Sequence, residues 1–123
     1  LKTIDEGDVE SFVGNDESAG QQKSKLLVAG LAGLGRVSPE FLVAQSEDLG
    51  TPLVRKSAFG RLITEAAQRG EPGTVALLAM LAMQGTDWAQ VKPDEFFQTI
   101  RALKAVGLEA EARMMVAEAV TRA

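Results

Sequence analysis

A glycine cluster at residues 30–35 is the part of this sequence whose residue types most directly suggest chemistry. Residues 26–36 read LLVAGLAGLGR, so an apolar run leads into Gly30, Gly33 and Gly35. In dinucleotide-binding folds such a run forms a strand, and the glycines let the backbone approach a phosphate at the start of a helix. The same residues also suit a helix whose glycines allow a second helix to approach closely.

The sequence around the cluster favours the helical interpretation. Ala32 stands where a loop glycine would be needed, and Pro39 would interrupt the helix that has to hold the phosphate. No second run rich in Val and Ile follows at the distance of another strand. Ala29 and Gly33 lie four residues apart, so a helix places both on one face. We therefore predict a close-packed helix and no bound nucleotide or other cofactor.

The inventory of reactive side chains argues against catalysis by this chain. It contains no Cys and no His, which removes thiol nucleophiles, Ser-His-Asp triads and the usual zinc ligands. Asp94 and Glu95 follow Pro93 in the expected first turn of a helix, where negative charge favours the helix dipole. No other carboxylates form a convincing acid–base pair, so we predict that the chain is not an enzyme and holds no metal.

Five residues are candidates for binding a protein partner. Arg55 and Lys56 give one stretch a basic character, suited either to an acidic partner or to a solvated face. Trp88, the only Trp, lies on a connector, where it either fills the junction between helical hairpins or anchors an interface. If Met114 and Val120 are exposed, they mark either a homodimer contact through the C-terminal hairpin or a surface that packs on the remainder of the chain.

Prolines and glycines divide the chain into helical stretches. Ser or Thr with Pro precedes several apolar-periodic stretches and Gly follows them, as at helix starts and ends. No stretch shows the alternation of a half-buried strand. Residues 74–84 are apolar on every side, so we expect that helix at the centre of the domain. We predict helices over 21–34, 39–49, 53–69, 74–84, 93–106 and 109–122, with a further short helix over 5–13.

The helix-ending glycines form a series. Gly35, Gly70 and Gly107 recur at intervals of about 35 residues, with apolar residues at matching distances on both sides. This spacing predicts an all-α fold of about six helices in three antiparallel helical hairpins. Over residues 21–123 the period and hairpin form resemble α-helical repeat arrays of the tetratricopeptide-like kind. The resemblance implies a short α-solenoid-like stack that binds a protein, and the alternative is a compact six-helix bundle.

Charge and composition set the domain organisation and the partners that we expect. Hydrophobic residues make up 46 % of the chain and charged residues 24 %, which is typical of a soluble globular protein. Residues 1–20 carry six acidic residues and one basic residue, so we predict an acidic linker or poorly ordered arm there and a single helical domain over 21–123. The near-neutral remainder is unsuited to nucleic acid, and the longest apolar run, VALLAMLAM, is too short to insert across a membrane.

The functional expectation is a non-catalytic domain that binds another protein or caps a longer helical array. Leu1 is not a Met, which suggests the C-terminal part of a larger protein whose remainder is itself a candidate partner. The alternatives are a helical accessory domain of an enzyme with its active site upstream and, less favoured, a nucleotide-binding fragment. The start of the chain does not resemble a signal peptide, and a soluble chain without Cys suits cytoplasm or periplasm equally.

Overall fold

The protein is all-α, as the sequence predicts. The computed structural model describes residues 5–50, 57–83 and 87–123, and no β-strand occurs within these ranges. Two short 3-10 turns, Ala19–Gln21 and Trp88–Gln90, lie between the helices. The seven α-helices of the described residues are α1 (Glu6–Asn15), α2 (Gln22–Gly33), α3 (Pro39–Asp48), α4 (Ala58–Gln68), α5 (Pro72–Met83), α6 (Pro93–Ala105) and α7 (Glu109–Arg122).

Most helix ends lie within two residues of the sequence prediction, and the clearest difference is the start of α4. A helix was expected from residue 53, but Ser57 is extended at φ −140° and acts as the N-cap, its hydroxyl accepting from the Gly60 N–H at 2.9 Å. The helix therefore begins at Ala58. The predicted stretch before it, residues 53–56, lies outside the described residues together with Pro52.

Three helices end in the same way at the three glycines of the series. After α2, Gly35 takes a φ of 73°, a left-handed conformation that only glycine adopts without steric cost. The N–H of Arg36 then donates to the Leu31 carbonyl at 2.8 Å, which closes the helix end. The same bond follows Gly70 and Gly107, so their predicted role as helix-ending residues is confirmed.

The centre of the domain is formed by α2, α6 and α7. Helix α2 packs most extensively against α6 and then against α7, while α4 covers another side of α6. The first hairpin, α2–α3, therefore contacts the last hairpin, α6–α7, directly. Side chains without exposed surface gather at this centre: Leu26, Val28, Ala29, Phe96, Ile100, Ala112 and Ala119.

Helix α5 lies at the edge of the domain, which corrects the expectation that it would lie at the centre. It packs mainly against α4 and less extensively against α6. Of its twelve residues only Val75 and Ala79 are fully buried. The central position belongs instead to α2, because its two interior glycines allow the approach of α6 and α7 that larger residues would prevent.

The N-terminal helix α1 is capped by acidic residues and is attached to the domain through Glu6 and Val9. Asp5 and Asp8 form a reciprocal capping box at its start, with Asp8 N donating to Asp5 Oδ1 at 2.8 Å. Glu6 accepts hydrogen bonds from both the N–H and the hydroxyl of Ser38, the residue that caps α3. Val9 is buried in the core. These contacts lie within the range for which the sequence predicts a linker or arm.

Candidate protein-interaction surface

The most exposed apolar surface among the described residues lies on α5. Leu77, Met80 and Leu81 follow the i, i+3, i+4 spacing of one helix face, and their side chains are 57 %, 68 % and 59 % exposed. Val75 and Ala79 form the buried face toward the domain. We call Leu77, Met80 and Leu81 the α5 face.

The neighbouring helix α4 adds a further exposed apolar side chain. Leu62 on α4 is 56 % exposed although its neighbour Ile63 is completely buried. Helices α4 and α5 pack against each other and belong to the same hairpin. The second hairpin therefore carries four of the six large apolar side chains that are more than half exposed in the described part of the chain.

The α5 face is electrically neutral. None of the residues Pro72–Met83 is ionisable. At the N-terminal end of the helix, Arg69 Nε and Glu71 Oε2 form an exposed ion pair at 3.3 Å, so the charges there are balanced. The surface thus differs from the chain as a whole, whose net charge is −4. A neutral apolar face attracts a partner by removing surface from water rather than by charge.

The five residues that the sequence selects for partner binding do not belong to the α5 face. Trp88 is half-buried and meets the Phe96 ring edge-on, with ring centroids 6.0 Å apart. Val120 is partly buried against the core, while Met114 is 72 % exposed on α7. Arg55 and Lys56 lie outside the described residues. The three described candidates, Trp88, Met114 and Val120, therefore do not form one exposed apolar surface.

Trp88 also takes part in a polar contact that the sequence did not indicate. The side-chain amide of Gln22, at the start of α2, donates to the carbonyl of Trp88 at 3.1 Å and to that of Val91 at 2.7 Å. These bonds join the connector before α6 to the first turn of α2. The ring contact and the hydrogen bonds agree with the interpretation that Trp88 fills a junction between hairpins.

Gly30 and Gly33 of the glycine cluster lie in helix α2, as predicted, and Gly35 follows its end. A Cβ placed on Gly33 would lie 2.9 Å from Ile100 Cβ and 3.0 Å from the backbone nitrogen of Arg101. A Cβ on Gly30 would lie 2.7 Å from a Val116 methyl carbon. Both contacts are shorter than packing allows, so these two glycines let α6 and α7 reach the backbone of α2.

A cleft between α1 and α2 is lined by Asp16, a carboxylate that accepts several hydrogen bonds. Asp16 accepts from the N–H and hydroxyl of Ser18 through Oδ1 and from the N–H and hydroxyl of Ser24 through Oδ2, at 2.5–2.9 Å. Partial burial raises the pKa of Asp16, but these hydrogen bonds outweigh it and hold the pKa below its usual value. Because Ser24 lies in the first turn of α2, the carboxylate stabilises the start of that helix.

Further polar residues lie in the first turn of α6 and in a second cleft. Asp94 and Glu95 lie in the first turn of α6, as the sequence predicts. A cleft of about 410 Å³ between α1 and α3 is lined by Glu10, Asp48 and Gln45, among others. The Gln45 side-chain oxygen there is buried without a hydrogen-bond partner. Within the described ranges, no group of three Asp or Glu residues is arranged to hold a metal ion.

Comparison with known proteins gives no relative from which a function could be transferred. No family model, curated protein or solved structure matches the chain. Among the helices of the described residues, none has the length and apolar character needed to cross a membrane. Function must therefore be argued from the α5 face and from the packing of the helices.

Sequence reasoning missed the α5 face as a surface, although it identified the helix. The run TVALLAMLAMQ is apolar on all sides, and that pattern alone predicts a helix in the interior. A second signal was present in the same sequence. Residues 74–83 contain no glycine, whereas α2 has Gly30 and Gly33 at the positions where other helices approach.

Proposed function

We propose that this chain is a non-catalytic helical domain that binds a protein through the α5 face. The observation that carries the proposal is the exposure of Leu77, Met80 and Leu81 on a helix without any ionisable residue. Contiguous exposed apolar patches on soluble proteins are often sites of interaction. Burying such side chains on association is favourable by about 25 cal/mol for each Å² of apolar surface removed from water.

The arrangement of the helices is best described, in our proposal, as a compact bundle of three hairpins. The direct packing of α2 on α6 and α7 supports this alternative over a stack, in which each hairpin would contact mainly its sequence neighbour. The repeated glycine turns remain similar to those expected for a helical repeat array. In either arrangement the edge helix α5 is available to a partner, whether a separate protein or further helices of an array.

The non-catalytic part of the proposal is supported by the chemistry of the side chains. The chain has neither Cys nor His, so the commonest nucleophile and proton-transfer residues are missing from it. The carboxylate of Asp16 already accepts four bonds from Ser18 and Ser24 at a helix start. These observations favour binding by surface burial over a reaction.

Site-specific photo-crosslinking tests this proposal with a matched pair of methionines. A benzoylphenylalanine placed at Met80 on the α5 face should form covalent adducts with a bound protein in the native cells. The same residue placed at Met114 on α7 is the control, because both methionines are largely exposed but only Met80 lies on the α5 face. Adducts at Met80 and none at Met114 are expected. Equal yields, or no adduct at Met80, would contradict the proposal.

A further inference from the structure

We propose that the protein bound by the α5 face is a second copy of this chain, packed about a two-fold axis. This inference rests on the proposed function and names the partner of the same surface. In such a dimer, the α4–α5 hairpin of one copy lies against the α4–α5 hairpin of the other. The four helices then form one layer between the two domains.

The first argument is the burial of α5. A helix that is apolar on all sides needs cover on more than one side. Within one copy, α4 and α6 cover the side that carries Val75 and Ala79. The opposite side, with Leu77, Met80 and Leu81, is left in water. A second copy of α5 supplies an apolar helix for that side, and each copy covers the other equally.

The second argument is charge. A two-fold contact sets the same patch of each copy against itself, so any ionisable residue near the axis faces its own like charge. Pro72–Met83 contains no ionisable residue, so α5 itself carries no such cost. The exposed charged residues beside Leu62 on α4, Arg61 and Glu65, are one of each sign. Homodimer interfaces are also more apolar than the interfaces of transient complexes, which match ordinary surface composition. The wholly apolar α5 face has the composition of a homodimer interface.

The same charge pattern argues against a membrane surface as the occupant. Helices that lie on anionic membranes carry Lys and Arg beside their apolar face. Helix α5 has none, and the chain's net charge of −4 opposes approach to anionic lipid.

The size of the surface sets the strength that we expect. Helix α5 has 12 residues and is therefore about 18 Å long. Stable complexes bury about 800 Å² on each partner, which exceeds what one short helix provides. Leu62 on α4 therefore belongs to the interface, and we expect a dissociation constant on the order of 10 µM.

Sedimentation equilibrium of the 123-residue chain tests the inference. The unaltered chain should dimerise over the range from about 1 to about 500 µM, and Met80→Glu should raise the dissociation constant at least about tenfold by placing like charges in an apolar contact. Met114→Glu, the matched control at an exposed methionine on α7, should leave the constant unchanged. Because α5 contributes no charge to the contact, raising the salt from about 0.05 to about 0.5 M should not weaken the dimer.

Other results would overturn the second-copy proposal. A chain that stays monomeric throughout, equal weakening by both glutamates, or a dimer dissolved by salt each contradicts it. Leu77→Lys is a second variant on the α5 face, and thermal unfolding confirms that each variant is folded. If the chain is monomeric but Met80 crosslinks to a different protein, the interaction function stands and the second copy is wrong. If Met80 also forms no adduct, both proposals fail.

Discussion

Helices α2 and α5 have the same length, twelve residues, and opposite positions in the molecule. Eight residues of α2 are buried, including the polar Gln22 and Ser24, while α5 is the more apolar helix and has two buried residues. The difference lies in what the neighbours can reach. At Gly30 and Gly33 of α2, side chains of α6 and α7 approach to where a Cβ would be.

Close approach, rather than apolar composition, therefore decides which helix is central. Gly30 costs α2 roughly 1 kcal/mol in helix propensity relative to alanine, and Gly33, its last residue, costs less. The cost is offset because α6 and α7 pack directly on the backbone of α2, where they bury Ile100 and Val116. The glycine of α5, Gly73, lies in its first turn, where a Cβ would meet nothing within 4 Å, so α5 offers no groove into which a neighbour fits.

The largest effect is expected from filling that groove. Gly33→Leu should destabilise the protein by at least about 3 kcal/mol, because the side chain would collide with Ile100 and the backbone at Arg101. Gly73→Leu is the matched control on α5, where a Cβ meets nothing within 4 Å, and it should change stability by less than about 1 kcal/mol. Urea unfolding measures both, and similar losses would refute the close-packing account.

A second pair of variants compares the two helices by truncation. Leu26→Ala on α2 should cost about 3 kcal/mol, because Leu26 is fully buried and its removal leaves a cavity. Leu81→Ala on α5 removes the same atoms from a side chain that is 59 % exposed, and should cost less than about 1 kcal/mol. The measurement is the free energy of unfolding at a concentration where the chain is monomeric. A cost at Leu81 equal to that at Leu26 would show that α5 is buried within one copy.

The smallest effect concerns the start of α2 and depends on pH. Asp16→Asn should cost about 1 kcal/mol at pH 7, because the neutral amide is a weaker acceptor at the helix start. The folded state holds the pKa of Asp16 below the ordinary 3.8, so the stabilisation is complete above 3.8 and is lost as pH falls through the lowered value.

Unfolding of the unaltered chain and the Asn variant, from pH 7 to about pH 2, measures this dependence. The difference between the two should vanish at the acid end. Glu17→Gln, at the exposed neighbouring carboxylate, is the control and should show no comparable pH-dependent difference. A constant difference between Asp16→Asn and the unaltered chain would mean that charge at residue 16 is unimportant.

The sequence predicted the helices well because their ends depend on local signals. Gly35, Gly70 and Gly107 end helices through a backbone conformation that belongs to glycine itself, and Ser38 with Pro39 begins one. Such signals act over a few residues and can be recognised without knowing the fold. The helical state of the glycine cluster was predictable for the same reason.

The sequence did not predict which helix is central, because that depends on distant residues. Gly33 meets Ile100, and Gln22 bonds to carbonyls 66 and 69 residues away in the chain. The periodicity of apolar residues along a helix does not predict which distant residues will be in contact. The roles of Asp16 and Glu6 were missed similarly, since an acidic stretch gives no sign of which carboxylates meet Ser24 or Ser38.

The bond from Lys104 Nζ to the Leu34 carbonyl, at 2.6 Å, joins residues 70 positions apart and has a consequence for synthesis. A ribosome adds about 5–20 residues per second, so about 4–14 s pass between the completion of α2 and the appearance of its partner on α6. During that interval α2 lacks α6 and α7, the two helices against which it packs most extensively. The first hairpin of this chain therefore completes its packing only after the last hairpin has been synthesised.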